Sequence, residues 1–177
     1  MKRLLTLLLA CAAGLSACET AGPPAPMPVP PPPPVVESFR AADFAWSVPP
    51  GQNRIEGALG MRQGQVRYSC TGSTVILMPE TAWSRRRVMI LYGSATNATV
   101  PVDIVRARTP PAPPEFGRYV RSGPCTGDRF AFNGLADGAW FLITLARPTT
   151  PGGGQVAVMR RVETYGGRPV QVVMGGN

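Results

Sequence analysis

The chain has 177 residues, with 18 lysines and arginines against 10 aspartates and glutamates, a formal net charge of +8 and no histidine. Its length suits one domain with a real hydrophobic core and is too short for two large ones. The absence of histidine excludes Ser-His-Asp and Cys-His catalysis and most catalytic zinc sites, and the sequence has no G-x-S-x-G elbow and no glycine-rich phosphate loop.

The first eighteen residues combine a basic start, an apolar run and a cysteine. Lys2 and Arg3 form a short basic region, and the apolar run from Leu4 to Leu15 is too short to span a bilayer as a helix. Leu15-Ser16-Ala17-Cys18 resembles the lipobox of bacterial lipoproteins, in which the cysteine is acylated and becomes the first residue after cleavage. The resemblance implies a signal peptide over residues 1–17 and attachment of lipid, palmitate included, at Cys18.

Two alternatives stay open at this end of the chain. An ordinary secretory signal cleaved near Ala17 would release a free protein. Leu8-Leu9-Ala10-Cys11 also resembles a lipobox, but cleavage there leaves an apolar region of only Leu4 to Ala10, at the lower limit of the usual length. With Cys18 acylated, the resemblance implies a cell-envelope protein held to the membrane by its lipid. Glu19, directly after that cysteine, favours the outer membrane, facing the periplasm.

A proline tract runs from Gly22 to Val36 and includes five consecutive prolines, Pro30 to Pro34. Consecutive prolines adopt polyproline II and cannot join a sheet interior. Residues 18–38 are therefore interpreted as the lipidated cysteine and a semi-rigid linker that holds the domain away from the membrane. A PxxP ligand for an aromatic groove is the alternative interpretation of this tract.

The domain itself is predicted over residues 39–177. Short extended runs broken by Gly, Pro, Asn and Asp predict an all-β fold, a single antiparallel sandwich of the transthyretin-like or immunoglobulin-like kind with about seven to nine strands. A helical turn is expected only within residues 39–47, because no later segment combines helical periodicity with caps. The predicted strands are Arg54–Ala58, Gln65–Ser69, Thr74–Met78, Arg87–Tyr92, Thr99–Ala107, Arg129–Phe132, Trp140–Ala146, Gln155–Val162 and Pro169–Met174, and Arg118–Ser122 is a candidate edge strand.

Cys70 and Cys125 are the cysteines that remain once Cys11 leaves with the signal and Cys18 takes the lipid. In an oxidising compartment we expect them to form a disulfide, and two buried free thiols are the alternative. Two cysteines without a histidine do not suit a structural zinc site. No metal and no other cofactor is expected.

The segment Arg129–Leu142 resembles the signature hairpin of carboxypeptidase regulatory-like domains, which are transthyretin-like sandwiches. Its alternating phenylalanines are predicted to face the core, Leu135 to plug the end of the sandwich, and Gly138 to allow a turn conformation that other residues resist. Ile55-Glu56-Gly57 and Cys70 to Met78 resemble two further strands of the family. The resemblance implies the fold and an accessory or binding role, and the family carries no catalytic residues to transfer.

The candidate binding contacts are Trp83, Arg85, Arg86 and Arg87, a tryptophan in a predicted loop followed by the one run of arginines. A solvated lead-in to the next strand is the alternative. A concave face that carries Trp83 or Tyr92 would support a carbohydrate-binding module. The other arginines are scattered without interleaved aromatic residues, so nucleic acid is not an expected partner.

Acidic residues are few, and nothing in their spacing brings together the carboxylate pair that a glycosidase needs. Asp103, Asp128, Asp137 and Glu163 are those that an enzyme on this sandwich would collect in one cleft. The sequence therefore predicts a non-catalytic structural or interaction module that contacts an envelope protein, peptidoglycan or an anionic glycan. A carbohydrate- or small-ligand-binding module is the first alternative, and a carboxylate-dependent envelope hydrolase is the second.

Overall fold

Two β-sheets lie face to face, and short helices cover the outer face of the larger sheet. The computed structural model describes residues 38–175. The helices are α1 (Ala82–Tyr92) and α2 (Val102–Arg108), and two 3₁₀-helices span Ala41–Ser47 and Pro114–Tyr119. The strands are β1 (Asn53–Leu59), β2 (Arg62–Gln63), β3 (Val66–Ser69), β4 (Thr74–Pro79), β5 (Asn97–Pro101), β6 (Arg121–Pro124), β7 (Arg129–Leu135), β8 (Gly138–Pro148), β9 (Val156–Thr164) and β10 (Pro169–Met174).

The smaller sheet has the strand order β10-β1-β7. Strand β7 runs antiparallel to β1, whereas β10 runs parallel to it. In the larger sheet β8 pairs antiparallel with β9, with β4 and, at its end, with β3. Strands β5, β6 and β2 pair in turn with β9, β4 and β3. The fold is an all-β sandwich, as predicted, with one parallel strand pair that a purely antiparallel sandwich would lack.

Alternating apolar residues of the two sheets form the core between them. Ile55 of β1 is fully buried, and so is Trp140 of β8, whose indole Nε1 donates to Thr164 Oγ1 at 3.0 Å. Phe130 and Phe132 of β7 are buried with their ring centroids 6.3 Å apart. Because burial of one such side chain contributes roughly 1.5–3 kcal/mol, the hairpin that the sequence indicated supplies a large share of this core.

The turn of that hairpin closes one end of the sandwich. Leu135 is fully buried, and its carbonyl oxygen accepts a hydrogen bond from Asn53 Nδ2 at 3.0 Å. Gly138 has a φ of 150°, and a Cβ added to it would lie 2.3 Å from the ring of Trp46. Both its backbone conformation and its close neighbour therefore require glycine.

Strand β8 is apolar on its second face as well, where the helices cover it. Phe141 is fully buried there against Met159 of β9, Val88 and Leu91 of α1, and Val102 of α2. A strand covered on both faces has no solvent-facing positions to fill with polar residues. This explains the nearly continuous apolar sequence of β8.

The strand predicted over Arg87–Tyr92 is wrong, because these residues belong to helix α1. Thr81 caps the helix: its Oγ1 accepts from the Ser84 N–H at 3.1 Å, and its own N–H donates to Ser84 Oγ at 2.8 Å. This reciprocal pair is a capping box. Gly93, with a φ of 71°, ends the helix in the left-handed conformation. The caps were thus present in the sequence and outweigh the strand-like composition of the run.

The strand predicted over Thr99–Ala107 is correct only as far as Pro101, where β5 ends and α2 begins. Proline lacks the N–H that would continue a sheet ladder. The edge strand predicted over Arg118–Ser122 starts only at Arg121, since the 3₁₀-helix Pro114–Tyr119 precedes it. Between residues 38 and 175, no helix is both long and apolar enough to cross a membrane.

The predicted disulfide is present between Cys70 and Cys125, whose Cα atoms are 5.8 Å apart. It joins the turn after β3 to the segment that precedes β7. Together with Asp128, the two cysteines are the one cluster of three potential metal ligands in the described part of the chain. Because both sulfurs are engaged in the disulfide, they are not available to a metal ion.

Asp128 ties the same two segments together through its carboxylate. The carboxylate accepts from Ser69 Oγ at 2.6 Å, from the Cys70 N–H at 2.9 Å and from Arg67 Nη2 at 3.0 Å. Burial alone raises the pKa of Asp128, but these hydrogen bonds outweigh it and hold the pKa below its ordinary value. The Asp128 carboxylate therefore has a structural role in holding these two segments together.

Candidate functional site

Trp83 lies in α1 and packs into an aromatic cluster, not in the exposed loop that was expected. Its ring centroid is 4.8 Å from that of Phe116 and 6.2 Å from that of the fully buried Phe44. One helical turn later, the Arg87 guanidinium lies 5.6 Å from the centre of the Trp83 indole. Trp83 and Arg87 thus meet as neighbours on one helix face, in a contact that belongs to the packing of α1.

The three arginines after Trp83 do not converge, because successive helical residues are about 100° apart around the axis. Arg85 forms an ion pair with Glu80, whose carboxylate also accepts from Arg161 Nε at 2.5 Å. Arg86 is exposed, and Arg87 stacks on the tryptophan. The structure therefore brings together Trp83 and Arg87 but does not form a single anion site from the run.

Tyr92 is also not part of a concave face. Its side chain is buried in the core beneath the helices, and this burial raises the pKa of Tyr92 to about 12. Neither Trp83 nor Tyr92 lines the concavities of about 650, 500 and 440 Å³ that the sandwich presents.

The four acidic residues considered for catalysis have separate surroundings. Asp128 lies beside the disulfide, and Glu163 pairs with an arginine of its own strand at 2.6 Å. Asp137 Oδ1 accepts from Asn53 Nδ2 at 2.7 Å and from the Gly166 N–H at 3.0 Å, so it joins the β7–β8 turn to the start of β1 and to the β9–β10 turn. Asp103 differs from the others because it is exposed in α2 and lines a cleft.

That cleft, called the Tyr68 cleft below, lies where the β2–β3 hairpin, the β5–α2 junction and the loop before β9 come together. Its volume is about 500 Å³, within the range of small-ligand sites. Aromatic, amide, carboxylate and guanidinium groups occur side by side along it. It is lined by Gln63, Tyr68, Thr99, Pro101, Val102, Asp103, Arg106, Gly154, Gln155 and Val156.

Hydrogen bonds fix the walls of the Tyr68 cleft. The hydroxyl of Tyr68, a buried residue, donates to Gln63 Oε1 at 2.9 Å and so orients the amide of the hairpin. The N–H of Val102 donates to the carbonyl of Gln155 at 3.1 Å and joins the start of α2 to the loop before β9. A Cβ at Gly153 would lie 2.8 Å from the Tyr68 hydroxyl oxygen, so the glycine-rich loop can approach this closely only with glycine there.

Several polar groups of the cleft have no partner. Arg106 and Asp103, three residues apart on α2, form no ion pair with any residue between 38 and 175. The side-chain Nε2 of Gln155 is buried, and no acceptor for it exists in the same part of the chain. A buried donor left without an acceptor costs about 1–3 kcal/mol. A ligand whose oxygen accepts a hydrogen bond from Gln155 would remove this free-energy cost.

A wider concavity of about 650 Å³ lies on the outer face of the smaller sheet, where Ala58 and Ala131 contribute small side chains. Of its polar side chains, Glu56 and Gln171 are already bonded to each other, and Arg129 is a further polar lining residue. Gln171 Nε2 donates to Glu56 Oε2 at 2.5 Å, and Glu56 pairs with Arg54 at 2.9 Å. The Tyr68 cleft is therefore the stronger candidate for a ligand site.

The fold is a β-sandwich with a polar cleft, and it is similar to that of a solved structure. It is the crystal structure of a protein from Pseudomonas aeruginosa described as a "putative carbohydrate binding protein". The two chains share 20% sequence identity with a TM-score of 0.59, and the match covers 78% of this chain and 97% of the other. At this identity the likeness establishes a shared fold. No protein-family model and no curated protein matches the sequence.

Proposed function

We propose that this chain is a non-catalytic carbohydrate-binding protein of the bacterial cell envelope, and that it binds its ligand in the Tyr68 cleft. The observation that carries the proposal is the side chain of Gln155, a residue that lines a cleft of ligand size and whose buried Nε2 has no acceptor among residues 38–175. The description of the Pseudomonas aeruginosa protein with the same fold points in the same direction.

The chemistry of the cleft suits a sugar. Carbohydrates present many hydroxyl groups, and each can donate and accept a hydrogen bond, so planar side chains with paired donors or acceptors recognise them. Gln63, Asp103, Arg106 and Gln155 supply such groups around the cleft. Nothing in the arrangement requires a reaction, because Asp103 is the one carboxylate among the lining residues. These features favour recognition over hydrolysis.

Binding is tested by isothermal titration calorimetry of the purified protein against neutral and acidic methyl glycosides. Gln155→Leu removes the donor at nearly constant size, so we expect loss of binding. The same substitution removes an unpartnered buried group, so the melting temperature should stay constant or rise. Gln171→Leu, on the outer face of the smaller sheet, is the control and should bind as wild type does. If no glycoside gives a heat of binding, the proposed function is refuted. If only the control variant Gln171→Leu loses binding, the ligand site lies on the outer face of the smaller sheet and not in the Tyr68 cleft.

We further propose that the protein is a lipoprotein whose Cys18 carries the lipid and whose proline-rich segment holds the sandwich away from the outer membrane. Both features lie outside the described residues, and the proposal rests on the sequence of residues 2–18. Two acyl chains make a stable anchor where one is marginal. The membrane is then a partner through the lipid alone. The resemblance to carboxypeptidase regulatory-like domains remains a proposal about ancestry of the sandwich.

Metabolic labelling with a palmitate analogue tests the anchor. Label should appear in the wild type and in Cys11→Ser, and it should disappear in Cys18→Ser. Label that persists in Cys18→Ser would refute the assignment of the lipid to that residue.

A further inference from the structure

We infer that the sugar bound in the Tyr68 cleft is an acidic one, with a carboxylate on its ring that Arg106 and Gln155 receive. This inference rests on the proposed function and adds the chemical class of the ligand. It follows from which groups of the cleft have partners within the protein and which do not.

Arg106 is the first of the two receiving groups. It is exposed in α2, lines the cleft, and forms no ion pair within residues 38–175. Asp103, one helical turn earlier, is the carboxylate nearest to it in the sequence, yet the two are not paired. A guanidinium presents two parallel N–H donors that match the two oxygens of a carboxylate. Arg106 therefore has its full donor capacity available to a ligand.

Gln155 is the second. Its Nε2 is buried and lacks an acceptor, so it gains most from an oxygen that accepts strongly. Hydrogen bonds to an ionised acceptor are roughly twice as strong as those between neutral groups. A neutral hydroxyl would satisfy the same N–H, but a carboxylate also engages Arg106 as an ion pair. Both residues line one cleft, so rotation of the Gln155 amide toward the cleft lets a single carboxylate bond both.

The remaining groups fit the hydroxyl face of a sugar. The carboxylate of Asp103 accepts from hydroxyl groups and repels a second acidic group, which favours a ligand with one carboxylate over a polyanion. The amide of Gln63 is oriented by the Tyr68 hydroxyl at 2.9 Å, so its Nε2 is directed by a fixed contact. Without Lys2 and Arg3, which the proposed signal peptide removes, cationic residues still outnumber acidic ones and add a long-range attraction for acidic ligands.

The test compares two ligands that differ at one carbon, methyl β-D-glucuronide and methyl β-D-glucoside, by isothermal titration calorimetry. We expect the glucuronide to bind about tenfold or more tightly, the scale of one charge-assisted hydrogen bond. Arg106→Gln should abolish this preference, so that the two glycosides bind the variant with equal affinity. Arg108→Gln is the matched control, because Arg108 is exposed on the same helix but does not line the cleft.

The outcomes separate this inference from the proposed function. Equal binding of both glycosides would overturn the acidic specificity and leave carbohydrate binding intact. A preference for the glucuronide that survives in Arg106→Gln, or that is lost equally in Arg108→Gln, would also overturn it. Absence of binding to either glycoside would overturn both proposals. Loss of the preference in Arg106→Gln alone would support the inference.

Discussion

Removal of the Cys70–Cys125 disulfide is expected to lower the free energy of unfolding by about 4 kcal/mol. The bond joins residues 55 apart in sequence. For a loop of that length the relation −2.1 − 1.5R ln n gives a loss of unfolded-state entropy of about 14 cal/mol/K, which is about 4 kcal/mol at 25 °C. Both cysteines are buried, so alanine is the replacement that leaves no unsatisfied polar group in the core. Urea titrations of the oxidised wild type and the double variant measure the difference.

Dithiothreitol supplies the control for this experiment. It should destabilise the wild type by the amount that the double substitution does, and it should leave the double variant unchanged. A difference below about 1 kcal/mol between wild type and variant would refute the loop-closure reasoning, because the chain-entropy model requires several times that value. A reductant effect on the double variant would show that the measured loss has another origin.

Three further predictions concern the packing and the electrostatics. Glu80→Ala should lower the free energy of unfolding by about 2 kcal/mol, because it removes the buried partner of Arg161. Glu163→Ala removes an exposed carboxylate from the same arginine and should lower it by less than about 1 kcal/mol. Equal losses in urea titrations would contradict the argument that burial makes the difference. Asp128→Asn should flatten the fall in melting temperature on acidification, since a depressed pKa stabilises the fold above the ordinary value of 3.8 and the contribution is lost as pH falls through the lower folded pKa. Gly51→Ala should destabilise the fold by more than about 1 kcal/mol, because the new Cβ would lie 2.0 Å from a backbone carbonyl oxygen. Gly117→Ala is the control and should be nearly neutral, because its Cβ would meet open space. Identical melting temperatures of the two variants would refute the steric argument.

Most of the sandwich was predictable because its strands follow the period of two. Phe130 and Phe132 alternate with polar or small neighbours, and Ile55 and Leu59 keep the same phase on β1. The helical turn expected within residues 39–47 is present as the 3₁₀-helix Ala41–Ser47. Helix α1 was not predicted, because Val88 to Tyr92 has the β-branched and aromatic composition of a strand. The decisive signals for α1 were short-range, a threonine and serine three residues apart and a glycine after the run. They count for more than composition at helix ends.

The cleft could not have been predicted in the same way. Gln63, Arg106 and Gln155 lie on three separate segments, and they come together only because β3 and β9 both pair with β8 and β5 pairs with β9. A lone glutamine or arginine in a loop carries no sequence signal for a site. Trp83 was the opposite case, since its aromatic character suggested contact with a ligand and the structure uses it for packing. Periodic sequence patterns predict strands and helices, whereas the polar residues of the Tyr68 cleft follow no such pattern.

The two covered faces of β8 have a consequence for how the domain comes apart. Trp140 and Phe141 are adjacent in sequence, yet one is buried under the smaller sheet and the other under the helices. Separating either layer from β8 exposes one apolar face of the strand to water while the other face stays packed. Unfolding of one layer before the other is therefore unfavourable. The sandwich and its helical cover are thus a single cooperative unit, and the amide protons of β8 should exchange with deuterated solvent only when the whole domain opens.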